Sequence, residues 1–399
     1  MSGPRVPGRA PWMSGGGPAA VAEGTLRTLG LEDTWARLQP QLAARGITRV
    51  ADLTGLDILG VPVWTAIRPA AATLAASAGK GLSHTAARIS AVMESLEVAV
   101  AEQARPPGVT HGTARTLNPG YGVDELTLHP VSLVDDRTVL EWTRGWDLTG
   151  AAPGLIPSAA VGLRGWAAAR WQPPTFVTTT NGLASGNDHV EATLHALLET
   201  VERDALARLR PADAVATDLD TLGERLGTVV DRIRAAGADV ALERIPSVPG
   251  TWAYTCWLTQ PEMWQIFAGS GCHTDPAIAA ERALLEAVQS RGSTISGGRD
   301  DIPEWTFRRL GAPADRPRPT PRHTEPMPTP APPAASRTLE QVLDDLVTAV
   351  HRTTGRPVIA VDLTPGRQPW PAVVQVFAPG LGLTLHHPRP QSLASRSFA

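Results

Sequence analysis

Lysine is almost missing from this chain. Of 36 basic residues in 399, only Lys80 is a lysine. Cysteine is scarce as well, with Cys256 and Cys272 alone. Two thiols cannot build a disulfide framework, and this pair lacks metal-ligand spacing. They read as core or strand thiols of a protein in a reducing cytoplasm. No apolar run approaches the ~20 residues a membrane-crossing helix needs. The opening MSGPRVPGRAPWMSGGGPAA has no apolar core of a signal peptide. The net charge of −3 leaves no basic footprint, so nucleic acid is not an expected partner. No internal repeat of solenoid period is visible.

What is present describes a globular chain, with 42% hydrophobic and 19% charged residues, long enough for one large domain or two to three ordinary ones. Glycine and proline mark residues 1–22 as a disordered tail. Residues 23–385 form the body and 386–399 a closing tail. The stretch from Gly311 to Ser336 is too rich in proline for helix or central strand and reads as a solvated inserted loop. One or two early helices fall in 25–46, and longer ones in 84–103, 188–210, 228–237, 276–291 and 339–355. Strands fall in 49–55, 61–69, 175–183, 238–245, 251–259, 264–271, 357–364 and 372–380. Helices of this length between short β-branched strands indicate an α+β or α/β fold.

Lys80 sits in SAGKGLS, residues 77–83. A GC-rich coding sequence is the ordinary explanation for one surviving lysine. The sharper one is that the position needs a compact point charge, which the planar fork of arginine does not supply. Gly79 and Gly81 would then let backbone N–H groups approach an anion. The spacing is not that of a P-loop.

Three helices carry polar stripes. Ser90, Glu94 and Glu97 recur at i, i+4 and i+7, and at ~100° per residue they share one face. Asn187, Glu191, Glu199 and Glu202 share a face of the second helix, with Asn187 also a candidate N-cap and His195 inside the stripe. In the third helix, begun by Asp275 and Pro276 as cap and first-turn proline, Arg282, Glu286 and Gln289 repeat the first helix's spacing. Any one stripe alone is an ordinary solvated face with ion pairing. Together they crowd carboxylates that repel unless a hard cation lies between them. Mg²⁺ takes such oxygen ligands and is completed by substrate phosphates, leaving Lys80, Arg203 and Arg282 to hold phosphate oxygens. A structural Ca²⁺ is the competing use, but the ligands are too dispersed for a loop site.

The segments SAVMESLE, NGLASGNDHVEATLHALLETVERDAL, GSGCHTDPAIAAERALLEAVQSR and the late FAPGL, in that order, resemble the YcaO family. The resemblance covers about residues 24–385. It implies a YcaO-like fold in which mixed sheets pack against long helices bearing the ATP and Mg²⁺ site. It implies Lys80, Ser90, Glu94, Glu97, Asn187, Glu191, Glu199, Glu202, Arg203, Arg282, Glu286 and Gln289 as nucleotide-site residues. Glu94, Glu97, Glu191, Glu199 and Glu202 are then the metal ligands, and no further catalytic residue is assigned. Members activate a peptide-backbone amide: a nucleophile adds to its carbon, and its oxygen is phosphorylated and leaves as phosphate. The flanks GITRVADLTGLDILGVPVWTAIRP and ISGGRDDI look like members that pair with a TfuA-like partner in thioamide formation on a ribosomally made peptide. Azoline-forming cyclodehydratases and macroamidine-forming members share much of this text. Here, however, the chain ends HHPRPQSLASRSFA rather than in a Pro-x-Pro-x-Pro-like tail, and no leader-binding domain is fused. A non-catalytic, nucleotide-binding accessory is the alternative outside enzymology. The partners implied are a precursor peptide, a TfuA-like protein and, as one assembly, a homodimer.

Overall fold

Three edge strands, each running straight into a long helix, organise the computed structural model. It describes residues 9–382 apart from 19, 23–24, 106–107, 164–172, 299–301, 303, 305–306, 308–322, 330–336, 365 and 367–369. The closing tail and most of the Pro-rich segment lie outside the described residues.

The first sheet is an antiparallel meander of β3 (Arg49–Asp52), β4 (Val63–Ile67) and β5 (Ala76–Lys80). Helix α2 (His84–Gln103) follows β5 and covers one face, with α1 (Leu31–Leu38) beside it. In the second sheet the order is β6 (Gly108–Gly112), β7 (Leu140–Asp147), β15 (Ile359–Asp362), β16 (Ala372–Phe377) and β9 (Leu183–Gly186), with β8 (Ala152–Pro157) on the other side of β7. Helix α4 (His189–Arg208) follows β9 and packs on β9 and β16, backed by α7 (Leu339–Thr354). The third sheet runs β13 (Met263–His273), β12 (Trp252–Gln260), β11 (Asp239–Ile245), β10 (Val215–Asp218) and β14 (Thr324–Pro326). Helix α6 (Pro276–Ser296) follows β13 and packs on β13 and β12, and α5 (Glu224–Ala235) lies against β11. A short helix α3 (Ala114–Leu117) and a hairpin of β1 (Ala20–Ala22) and β2 (Thr25–Arg27) complete the elements used here.

The long helices fall where periodicity puts them; α2 matches 84–103 to the residue. The expected strand over 175–183 does not. Only an isolated bridge at Phe176 forms, and the strand proper is β9, at the glycine-bearing end. The predicted tail also behaves differently over its described part. Ala10 is buried, Trp12 and Met13 pack on the α4–α7 core, Ser14 Oγ is 2.9 Å from His189 Nδ1, and β1 forms. Apolar side chains between the glycines give that segment something to bury. Within the Pro-rich stretch, Thr324–Pro326 forms an edge strand parallel to β10, an edge being where a strand tolerates proline.

The glycines around Lys80 do not form an anion cradle; β5 is an ordinary strand up to Lys80. A Cβ on Gly79 would lie 2.2 Å from Ala87 O and 2.1 Å from Ala91 N of α2. Gly186 meets Ala192 N at 2.5 Å, Gly271 meets Ala279 O at 2.3 Å, and Gly269 meets Ala287 N at 2.2 Å. These glycines let each helix backbone lie directly on its own strand, opposite small alanines.

That contact has measurable consequences. Gly269→Val places atoms on the α6 backbone and should cost about 1–3 kcal/mol or more. Gly227→Ala, inside α5 with nothing nearer than Leu222 O at 3.9 Å, should stabilise by about 0.5–1 kcal/mol. Thermal denaturation of both variants beside the parent checks the pair.

Candidate functional site

The three strand–helix units share one register. Each helix has a side-chain N-cap: Ser83 accepts from Ala86 N (3.2 Å), Asp188 from Glu191 N (2.8 Å) and Asp275 from Ala277 N (2.8 Å). The cap of the second helix is therefore Asp188, not Asn187. Seven residues beyond the caps stand Ser90, His195 and Arg282; eleven beyond, Glu94, Glu199 and Glu286; fourteen beyond, Glu97, Glu202 and Gln289. Alanine recurs four and eight residues beyond every cap, at the strand contact. The sequence reading found this spacing in the first and third helices. It missed the second because Asn187 and Glu191 were counted into the stripe. Counting from each cap would have exposed it.

The units close into a ring, because each helix also touches the next edge strand: α2 on β9, α4 on β13, α6 on β5. The residue fourteen beyond the cap makes the latch each time. Glu97 Oε2 accepts from Ser185 N of β9 at 2.7 Å. Glu202 Oε1 accepts from Ser270 Oγ of β13 at 2.7 Å. Gln289 Nε2 donates to Ala78 O of β5 at 2.8 Å. The residues seven and eleven beyond the caps stay half-buried amid otherwise buried helix faces, so these faces line a recessed cleft.

Charge in the cleft is unevenly balanced. Lys80 Nζ pairs with Glu286 Oε2 at 3.0 Å, and Ser270 Oγ bridges from Glu202 to Glu286 Oε1 at 3.4 Å. Ser270 was not anticipated, although its AGSG echoes the SAGKG around Lys80. Arg203 reaches Glu199 at 3.5 Å and Glu202 at 3.7 Å. Burial first, then Glu199 and Glu94, hold the Glu97 carboxyl well above the ordinary range. Burial likewise pushes Glu199 up to about 7; Arg203 and Arg282 oppose this, while Glu202 and Glu286 reinforce it. Burial would also raise Glu286, but Lys80, Arg203 and Arg282 together lower it. Among the described residues, the Nε groups of Arg203 and Arg282 are buried without a hydrogen-bond partner. The site thus holds carboxylates that retain protons and guanidinium donors that lack acceptors. As they stand, no three His, Cys, Asp or Glu side chains among the described residues are grouped closely enough to hold an ion.

Glu191 has other work. It is fully buried and accepts from Arg27 Nη1 (2.7 Å), Thr28 N and Oγ1 (both 2.9 Å), Asn187 N (3.1 Å) and Asn187 Nδ2 (3.2 Å). Burial, the largest single influence, would raise its pKa; the Arg27 charge together with the other neighbouring groups, among them the Thr28 and Arg27 hydrogen bonds, outweighs this and brings it to about 2. His195 bonds Thr25 Oγ1 at 2.8 Å and is kept neutral by burial and by the Arg27 charge. This network fastens β2 to α4 and occupies both Asn187 and Glu191. Cys256 and Cys272 are free, buried strand thiols, and burial pushes Cys272 up to about 12.

The model of the family described as YcaO cyclodehydratase, ATP- and Mg²⁺-binding, matches residues 78–382. An uncharacterised protein of Mycobacterium tuberculosis is 38% identical over 383 residues, covering 93% of this chain and 86% of that one. The uncharacterised protein in the tfuA 3′ region of Rhizobium leguminosarum bv. trifolii is 34% identical over 312 residues, 73% of each chain. The structure of YcaO from Methanopyrus kandleri bound with AMPPCP and Mg²⁺ superposes with a TM-score of 0.69 over 91% of this chain and 94% of that one. At 24% identity it shows the shared fold. No described helix is long and apolar enough to cross a membrane.

The shifted carboxyls make stability depend on pH. Glu97 and Glu199 hold protons in the folded state that they would release on unfolding. The Glu199 contribution is full below about 4.5 and is lost as pH rises through about 7, and that of Glu97 is likewise lost as pH rises through its own raised value. Glu191 acts oppositely: its contribution is present above 4.5 and is lost as pH falls toward about 2. Without ligand, Glu199→Gln should therefore raise stability at pH ~8 by about 1–3 kcal/mol and flatten the fall between pH ~5 and ~7. Denaturant titration across that range measures both.

Proposed function

The chain belongs to the YcaO family, and on that premise we propose that it activates a backbone amide of a ribosomally made peptide with ATP and Mg²⁺, forming a thioamide with a TfuA-like partner. The ring of carboxylates in equal register, facing Lys80, Arg203 and Arg282, carries this reading. An all-oxygen ligand set suits Mg²⁺ and would release the protons of Glu97 and Glu199. The orphaned guanidinium donors suit phosphate oxygens.

In this reading Glu94, Glu97, Glu199 and Glu202 hold metal. Glu191 joins them once it is freed from Arg27 and Thr28. Ser90, Asn187, Glu286 and Gln289 complete the nucleotide contacts. Bound Mg²⁺–ATP supplies the transferable γ-phosphoryl group and neutralises charge that develops during transfer. Lys80 gives up Glu286 to reach a phosphate oxygen, a change its flexible stem permits. Arg203 and Arg282 fix the phosphate chain from α4 and α6. The substrate nucleophile adds to the amide carbon, and the amide oxygen takes the phosphoryl group. ADP departs in that transfer as the bond between the β- and γ-phosphates breaks; the C–O bond then breaks, releasing inorganic phosphate and the nucleophile's proton. A sulfide equivalent as nucleophile leaves sulfur where oxygen was.

Kinship with the protein of the tfuA 3′ region supports the thioamide outcome. The family's description as cyclodehydratase favours a second reading, in which a Cys, Ser or Thr side chain of the substrate attacks and an azoline forms; an amine nucleophile would give an amidine. Mass spectrometry of a candidate peptide incubated with the chain, ATP, Mg²⁺, a sulfur source and the TfuA-like partner separates them. A gain equal to oxygen replaced by sulfur is expected, whereas loss of one water means cyclisation. Glu199→Gln should lower turnover by about a hundredfold or more. Unchanged product formation in that variant would assign the protein a nucleotide-binding accessory role.

Lys80→Arg keeps the charge but changes its shape, so a loss of about a hundredfold in turnover with an unchanged melting point is expected. Mg²⁺–ATP binding near pH ~6.5 should release protons from Glu97 and Glu199. Calorimetry in two buffers of different ionisation enthalpy reads that release.

A further inference from the structure

Among the described residues the outer edge of β3 is free, and both faces beside it are hollow. Among the described residues β3 pairs only with β4. Leu53 N bonds Val63 O, and antiparallel alternation then turns the main-chain groups of Val50 and Asp52 outward. On the face away from α2, Ala51, Leu53, Leu56, Ile67 and Ala78 line a cavity of about 200 Å³ bounded by the end of α6. On the α2 face, Trp35, Leu42, Val50, Trp64 and Arg88 line another of about 240 Å³. Arg49 stands at both rims. Leu56, in the lining of the first cavity, is 57% exposed.

The charged side chains described in the lining of the two cavities are of one sign. Among the described residues, Arg49 and Arg88 are the charged ones lining the two cavities, and no described carboxylate does so. The Arg88 guanidinium lies 3.8 Å from the ring centre of Trp35 and 5.8 Å from that of Trp64, and its Nε is buried without a hydrogen-bond partner. Two indoles hold this cation in place, and no carboxylate pairs with it among the described residues. Asp52 is turned toward His84, 3.4 Å away.

We infer that an extended, acidic segment of the peptide substrate adds to β3 as a fourth strand, its alternate side chains entering the two cavities. This rests on the proposal that the substrate is a peptide. Main-chain bonds to Val50 and Asp52 supply affinity, and the cavities and Arg88 supply selectivity. The same edge left bare would invite aggregation. The placement also serves the chemistry. Val63 pairs with Lys80 and Asp52 with Trp64, so the Asp52 end of β3 lies level with Lys80 across the sheet. At ~4.8 Å per strand, a strand beyond β3 lies about 15 Å from β5, a gap that about five extended residues span. The segment that binds and the amide that reacts are then neighbours in one peptide.

The test uses the full chain and two acetylated probes, an alternating Glu–Val peptide and the same peptide with Lys for Glu. Fluorescence polarisation should detect the Glu probe and not the Lys probe. Hydrogen exchange should show protection of Val50 and Asp52. Arg88→Met, which keeps the stacking and removes the charge, and Val50→Pro, which removes an outward N–H, should each weaken binding about tenfold or more, with Mg²⁺–ATP affinity unchanged. If Val50→Pro does not fold, Arg49→Gln replaces it. Failure of the Glu probe to bind, equal binding of the Lys probe, protection on another strand, or full affinity in the variants overturns the assignment. So does protection of β3 by a partner protein but not by the peptide. Nucleotide calorimetry on the same samples separates this failure from failure of the amide-activation reading, which would show as absent Mg²⁺–ATP binding whatever the peptide does.

Discussion

Carboxylates crowded into one recessed cleft repel each other, and this repulsion sets the character of the molecule. Glu94, Glu97, Glu199, Glu202 and Glu286 come from three helices, and the cations among them do not neutralise them all. Burial first, and then this repulsion, makes Glu97 and Glu199 hold protons at pH values where glutamate is normally ionised. Such an arrangement is costly for a fold to keep unless binding repays it. In the proposed reading, a divalent cation with polyphosphate would resolve the repulsion and satisfy the orphaned Nε donors of Arg203 and Arg282 at once.

The framework that imposes this crowding is small in its parts. A glycine on each edge strand lets the following helix lie against it, a side-chain cap fixes where that helix begins, and the eleventh residue beyond the cap then faces the cleft. Repeated three times, the device brings three glutamates into equivalent places. The latches from Glu97, Glu202 and Gln289 to the next strand make the units interdependent. No single sheet contains the site; it exists where three sheet edges converge.

Glu191 shows how position changes a residue's role. It shares the helix with Glu199 and has a similar spacing argument behind it, yet it anchors β2 through Arg27 and Thr28. The N-terminal hairpin is thereby tied to the same helix that supplies Glu199 and Glu202. In the proposed reading, any movement that recruits Glu191 to metal must also release its bonds to Arg27 and Thr28.

Much was legible in the residues themselves. Helical periodicity located α2, α4 and α6. The Asp275–Pro276 cap marked where α6 starts, and the stripes Ser90–Glu94–Glu97 and Arg282–Glu286–Gln289 announced a shared chemistry. These are local properties, decided by spacing along one helix. The sequence alone did not show that the glycines beside Lys80 serve helix packing, that Asp188 rather than Asn187 is the cap, or that Ser270 joins the carboxylates. Nor did it show that the flanking segment 46–69 and, from the flank 295–302, Ser296 and Gly298 meet beside β3. Each of these depends on contacts between residues far apart in the chain, and such contacts are settled only when the three sheets dock. Sequence spacing determined which side chains share a face; tertiary packing decided which faces look at one another, because charge repulsion, burial and hydrogen bonding act through space and not along the chain.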